Sequence, residues 1–183
     1  DHPEYRKGIL DMGKQNADYL LELINQLLDF RKLDAKAETL KCKHDNILII
    51  LSEIFHSFDP IAQKRNIGYS FTSPQHSVFM DFDYDKIRKI CTNILSNAFK
   101  FTPNKGSISL DIAIKGKNLE LTFTDTGCGI EDESKEKIFQ RFYQSGKNQS
   151  SNGGSGIGLH IVSEYVKMHQ GTVCVKDNQP CVV

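Results

Sequence analysis

Apolar residues change their spacing several times along the chain, and each change marks an element. From Glu4 to Asp34 they keep one helical stripe. Ile9, Met12, Tyr19, Leu23, Leu27 and Phe30 step by threes, fours and one double step, and Leu20, Ile24 and Leu28 widen it. Asn16 fills the gap, a polar residue in an apolar seam of the kind that fixes register between paired helices. A lone amphipathic helix cannot bury such a stripe. The pattern therefore predicts a partner helix outside this sequence, a second copy, or a docking face on the helix's own domain.

After Asp34 the periods shorten. Thr39–His44 alternates like a strand. Asp45 is placed to cap a helix from Asn46 to about Arg65, with Ile47, Ile50, Leu51, Ile54, Phe55 and Phe58 on its apolar face. Ile67–Phe71 and Ser77–Asp81 read as short strands around a turn at Pro74. Asp83 then caps a helix that ends at Phe101, before Thr102-Pro103, with Ile87, Ile90, Cys91, Ile94, Leu95 and Ala98 as its apolar positions. Gly106–Lys115 and Asn118–Asp125 predict a hairpin around Lys115-Gly116-Lys117-Asn118. A short helix from about Glu133 to Phe142, a polar loop "QSGKNQSSNGG" and a last helix from Ile157 to His169 follow. Strands and helices alternate irregularly and include a hairpin. That predicts an α+β fold, a two-layer α/β sandwich with a mixed sheet, preceded by one long helix. The expected division is residues 1–38 for that helix and 39–183 for the sandwich.

Composition narrows the class. The 183 residues carry 23 basic and 23 acidic side chains, so formal net charge is zero and no footprint for nucleic acid or an anionic membrane appears. No apolar run approaches the roughly 20 residues of a membrane span, and the first residues lack the apolar stretch of a signal peptide. The 5 cysteines are odd in number and none forms a C-x-x-C pair, which argues against a disulfide framework or a zinc site and for a reducing compartment.

Three stretches carry candidate chemistry. Asn93, Asn97 and Lys100 run i, i+4, i+7 and share one face of their helix, apart from its apolar positions. In "LELTFTDTGCGI", Asp125 continues the alternation of Leu119, Leu121 and Phe123 and needs a donor partner there. Gly127 and Gly129 follow at once and let the backbone approach a ligand, although Asp-Thr-Gly is also a common turn. In "GGSGIGLHIV", Gly154, Gly156 and Gly158 alternate just before a helix, where free N–H groups bind phosphate. The same run also suits a hinge, and it is neither a P-loop nor a Rossmann fingerprint.

Taken together and in this order, these stretches resemble the catalytic, ATP-binding domain of sensor histidine kinases. That domain is of the Bergerat type, within the wider group of gyrase, Hsp90 and the mismatch-repair ATPases. The matching stretches are "NILSNAFKFTP" (N box), "DTGCGI" (G1 box), "IFQRFYQ" (F box) and "GGSGIGL" (G2 box), and the likeness runs from about Leu40 to Lys176. The helix ending "LLDFRKLDA" is similar to the second helix of the family's dimerisation and phosphoacceptor hairpin.

The resemblance implies roles. Asn97 would hold Mg²⁺ through its side-chain oxygen, with Asn93 a further candidate ligand, and Lys100 would meet phosphate. Asp125 would accept from the adenine amine, with Gly127, Gly129 and Ile130 lining that end. Gly154, Gly156, Gly158 and Leu159 would receive the phosphates. Phe139 and Phe142 would anchor a lid, or serve in ordinary packing. Gln144 stands where many relatives have a basic residue, and Lys147 is the candidate substitute. The family's ATPases generally carry Glu at the position matching Asn93, where it activates water. An amide cannot be that base. The resemblance therefore implies transfer of the ATP γ-phosphoryl to a histidine in two-component signal transduction, not hydrolysis of the gyrase and Hsp90 kind. It further implies a response regulator receiver domain as partner, a homodimer in the whole protein, and a cytoplasmic portion anchored to a membrane only through other segments.

The departures are specific. His2 is followed by Pro3-Glu4-Tyr5, which does not match the phosphoacceptor pattern, and His44, His56, His76, His160 and His169 lie inside the catalytic part. The expectation is a chain that begins in the turn between the two hairpin helices and lacks a closing strand after "DNQPCVV". A degenerate dimerisation module without nucleotide is the competing expectation.

Overall fold

The computed structural model describes residues 3–35, 38–144 and 155–177. Helix α1 spans Pro3–Asp34, followed by strand β1 (Lys43–Asn46), helices α2 (Ile47–His56) and α3 (Asp59–Arg65), and strands β2 (Gly68–Thr72) and β3 (Phe79–Phe82). Helix α4 (Tyr84–Phe101), strands β4 (Ser107–Lys115) and β5 (Asn118–Asp125), helix α5 (Asp132–Lys135), a 3₁₀ turn (Lys137–Phe139) and helix α6 (Gly158–Met168) complete the order.

The sheet is mixed, as expected. β2 runs parallel to β4, and β4 antiparallel to β5, in the order β2-β4-β5. β1 and β3 form a separate antiparallel pair, with Asn46 opposite Phe79. The two strands beside Pro74 are thus not each other's partners. β2 reaches across to β4 and β3 back to β1, pairings between distant segments that local spacing does not encode. The β4–β5 hairpin is as read. Lys115 pairs with Asn118, and Gly116 has φ 64° in the first loop position, the glycine-first pattern of a type II′ turn.

Several boundaries move. The first strand is Lys43–Asn46, not Thr39–His44. Asn46, not Asp45, caps α2, and its side chain accepts from the Leu48 amide at 3.2 Å. The helix expected to reach Arg65 breaks at Ser57–Phe58 and restarts as α3, with Pro60 in its first turn, where a missing N–H costs nothing. The helix expected over 133–142 shortens to α5 and the 3₁₀ turn. Of the polar loop, only Gln144 lies among the described residues, and residues 171–177 follow α6 without strand pairing.

Alternation places Ile108, Leu110 and Ile112 of β4 in the core, where they meet Leu51 and Phe55 of α2, Leu95 of α4 and Ile161, Val162 and Tyr165 of α6. Phe55 stacks on Tyr69 at 3.8 Å between centroids and Phe58 on Phe99 at 5.4 Å, which ties α2 and β2 to α4. α1 leaves much of its stripe uncovered. Leu20, Ile24, Leu27 and Leu28 are each about half exposed, while Phe30 and Leu33 pack on the core.

The start of α4 rests on a buried charge cluster. Asp83 is 3% and Lys86 6% exposed. Asp83 accepts from the Lys86 amide at 3.1 Å, the Lys41 amide at 2.7 Å and the Lys86 ammonium at 3.1 Å. Lys86 also meets Glu38 at 2.9 Å and the Thr39 carbonyl at 3.0 Å, so its three N–H donors are all used. The Asp83 amide donates to His169 Nε2 at 3.2 Å, and His169 Nδ1 donates to the Tyr165 carbonyl at 2.8 Å, which pins α6 to the same point.

Burial pulls the Asp83 carboxyl upward, but the bonds from Lys41 and Lys86 outweigh it and hold the group below the ordinary carboxylate range. A depressed folded value adds stability above the unfolded value of about 3.9, and that stability is lost as pH falls through the folded value. The urea midpoint should accordingly drop below about pH 4 in the wild type, with the Asp83 contribution to that drop absent from Asp83→Asn. Asp83→Ala should cost about 3 kcal/mol near neutral pH in urea titrations, because it removes a helix cap and one partner of a buried lysine.

Candidate functional site

Asn93, Asn97 and Lys100 sit half-buried along one face of α4. Asn93 Nδ2 donates to the Lys89 carbonyl at 2.8 Å, which fixes the amide and turns its oxygen outward. That oxygen meets Gly158, the first residue of α6. A Cβ on Gly158 would lie 2.6 Å from Asn93 Oδ1. The missing side chain is what lets the glycine-flanked helix start reach the amide face. One turn on, Asn97 makes no hydrogen bond with the described residues, so its carboxamide oxygen is available on that face. The Lys100 ammonium lies 5.1 Å from the ring centroid of Phe101.

The acid-glycine turn meets the other end of the same helix. Asp125 closes β5 and accepts from the Gly127 amide through Oδ1 at 2.8 Å, while its second oxygen has no partner among the described residues. Its parity matches Leu119, Leu121 and Phe123, yet it is exposed, because the strand runs past the core's edge there. The turn is anchored by Thr126, whose hydroxyl accepts from the Ser107 amide at 2.8 Å. A Cβ on Gly127 would lie 2.6 Å from Asp125 Oδ1 and 3.1 Å from the Phe101 carbonyl. Gly129 has φ 70° with open space around it, and Ile130 beside it is half-buried.

Gly156 and Phe142 form a neck. The Phe142 amide donates to the Gly156 carbonyl at 3.0 Å, and both residues have positive φ, 60° and 69°. Leu159 lies half-buried on the first turn of α6. Phe139 is half-buried, and its carbonyl accepts from the buried His160 Nδ1 at 3.2 Å. Phe142 is 58% exposed and meets Phe30 edge-on at 5.5 Å, so it belongs to neither the core nor the amide face. Gly154 and Lys147 lie outside the described residues.

The docking of α1 was not legible from the chain. Its last turns touch the stems on both sides of the neck and α4 as well. Ser155 Oγ donates to Gln26 Oε1 at 2.5 Å, Lys89 pairs with Asp29 at 2.6 Å, and Arg141 pairs with Asp34 at 2.7 Å while lying over the Phe30 ring. The acids at 29 and 34 are ordinary polar-face residues in the helical pattern, and nothing local marks their partners.

The arrangement is a polar face with two amides and a lysine, a glycine-bordered helix N-terminus at one end and an exposed carboxylate on a glycine turn at the other. It offers an oxygen to a hard cation, N–H groups to phosphate and an acceptor to an amino group.

Comparison with known proteins gives a family and a fold. Residues 82–181 match the model of the family described as histidine kinase-, DNA gyrase B-, and HSP90-like ATPase. Histidine kinase P4 of Formosa agariphila is 38% identical over 164 residues, which are 87% of this chain and 12% of that protein. Among solved structures, full-length ShkA in complex with AMPPNP superposes with a TM-score of 0.77 at 29% identity, over 97% of this chain and 36% of that one. ThkA in complex with the response regulator TrrA superposes at 0.72 with 22% identity, over 93% of this chain and 47% of that one, a likeness of fold.

Gly156→Ala should destabilise more than Gly129→Ala in urea titrations. Both force alanine into the left-handed region at about 1–2 kcal/mol. Only at Gly156 would the new Cβ also lie 2.8 Å from backbone, the Phe142 carbonyl carbon.

Proposed function

Because the chain belongs to the histidine kinase-, DNA gyrase B- and HSP90-like ATPase family, we propose that it is the ATP-binding kinase portion of a two-component sensor histidine kinase. The chain spans 12% of the relative just named, so the activity of the whole protein is part of the proposal. The observation that carries it is the close approach of Gly158 to Asn93 Oδ1, which sets a helix N-terminus against a paired-amide face.

In this reading Asn97 holds Mg²⁺ through its side-chain oxygen and Asn93 supports the same ion. The Asn97 carboxamide, without a hydrogen bond among the described residues, fits that ion's preference for hard oxygen. When bound, Mg²⁺ neutralises charge on the phosphate oxygens. Lys100 and the α6 N-terminus, with Gly154, Gly156, Gly158 and Leu159, receive phosphate. Asp125 accepts from the adenine amine through the oxygen that has no partner among the described residues, beside Gly127, Gly129 and Ile130. Lys147 supplies the positive charge that Gln144 does not.

Asn93 cannot take a proton from water, which disfavours hydrolysis as the main task. A neutral imidazole already has a nucleophilic nitrogen, so the acceptor is a histidine that the site need only face in line. The acceptor lies on a hairpin helix that pairs with the uncovered stripe of α1, and a second copy completes the bundle. The phosphoryl group then passes to a receiver domain of a response regulator, a class of partner in complex with ThkA. The boundary between helix and catalytic domain falls at residues 38 and 39.

Calorimetric titration decides the nucleotide reading. The chain should bind Mg-ATP, and Asn97→Ala should weaken it about tenfold or more in the presence of Mg²⁺ but much less with EDTA. Asp125→Asn should weaken ATP and adenosine alike by about tenfold or more. No heat with the unaltered chain at high protein concentration would instead support a dimerisation module. Incubated with labelled ATP, the chain should leave itself unlabelled and label a separately supplied histidine hairpin.

A further inference from the structure

Arg65 ends α3 and lies outside every motif that carries the nucleotide reading. Its guanidinium donates Nη1–H to the Phe99 carbonyl, Nη2–H to the Thr102 carbonyl and Nε–H to Asn104 Oδ1 at 2.9 Å. Its own carbonyl accepts from the Lys105 amide at 3.1 Å. One residue therefore grips the last turn of α4 and the loop that follows, from both side chain and backbone.

Carbonyls in the last turn of a helix lack intrahelical partners. A planar fork of donors satisfies two at once, and its charge faces the negative end of the helix dipole. On the same turn, the Phe101 carbonyl lies against Gly127. Lys100 and Phe101 both lie between the two carbonyls that Arg65 holds.

We propose that Arg65 is a positioning residue for the nucleotide site. It fixes the last turn of α4 so that Lys100 and the Asp125–Gly127 turn keep their relative placement. The proposal rests on the nucleotide reading above. It also divides the site. Asn93 and Asn97 lie further from the clamp, so their metal-binding face survives its loss, while the phosphate lysine and the adenine turn do not. Lysine at 65 would keep the charge but has one nitrogen for three acceptors, and it would restore only part of the effect.

The test compares the unaltered chain with Arg65→Met, Arg65→Lys and, as a control at the other end of the helix, Arg88→Met. Calorimetry with Mg-ATP gives Kd, and NMR hydrogen exchange gives local order. Arg65→Met should raise Kd about tenfold and speed exchange of the Thr102 and Gly127 amides about tenfold, with the Leu95 amide in mid-helix unchanged. Arg65→Lys should fall between, and Arg88→Met should match the unaltered chain. Equal acceleration at Leu95 and Thr102 would mean general destabilisation and overturn the proposal, as would full recovery by lysine. Unchanged Kd in Arg65→Met beside normal binding by the unaltered chain overturns this proposal alone. No binding by the unaltered chain overturns the nucleotide reading and this proposal with it.

Discussion

α4 is held at both ends by charge, and the amide-lysine face of the candidate site is mounted on it. At the N-terminus the buried Asp83–Lys86 pair ties the helix to the segment after α1 and, through His169, to α6. At the C-terminus Arg65 satisfies carbonyls that the helix leaves open. Removing one partner of a buried pair leaves the other without compensation, which makes such anchors decisive for geometry even where their net stabilisation is small. Between the anchors, Leu95 and Cys91 fill the core side of the helix, and Asn93, Asn97 and Lys100 occupy the opposite one.

Glycine governs how close the other elements come. At Gly158 and Gly127 a side chain would collide with a polar oxygen of the site itself, Asn93 Oδ1 in one case and Asp125 Oδ1 in the other. Both glycines act by leaving space rather than through unusual dihedral angles. That is why a helix N-terminus and a carboxylate can border one amide face. The chemistry left to the protein is then placement and charge. Around one face it sets carboxamide and carboxylate oxygens, an ammonium and a helix N-terminus, and residue 93 is an amide, which cannot take a proton from water.

Much of this was legible along the chain, because helical and strand periods are local. The caps at Asp83 and the Gly116 turn rest on residue types whose chemistry admits few alternatives. Asn46 and Asp45 are both good caps, and spacing alone does not choose between adjacent residues. The helical spacing of Ile54, Phe55, Phe58, Ile61 and Ala62 runs straight through the break at Ser57–Phe58 and masks it. Lys86 counts as a polar position in any pattern, and only the convergence of Glu38, Asp83 and the Thr39 carbonyl explains its burial. The pairing of β2 with β4, and the contacts of Asp29, Phe30 and Asp34 with α4, α6 and the segment at Arg141–Phe142, join segments far apart in sequence. No local signal carries them. Arg65 carries no local signal for the same reason, since its acceptors are backbone atoms 34 and 37 residues away.

The bond between the Phe142 amide and the Gly156 carbonyl closes the chain between them into a ring. For such a ring, the entropy of bringing the ends together rises only with the logarithm of its length, about 0.6 kcal/mol for each doubling. Lengthening the chain within 145–153 should therefore leave the flanking elements in register. Descendants of this scaffold can lengthen that span at little entropic cost while inheriting the rest unaltered.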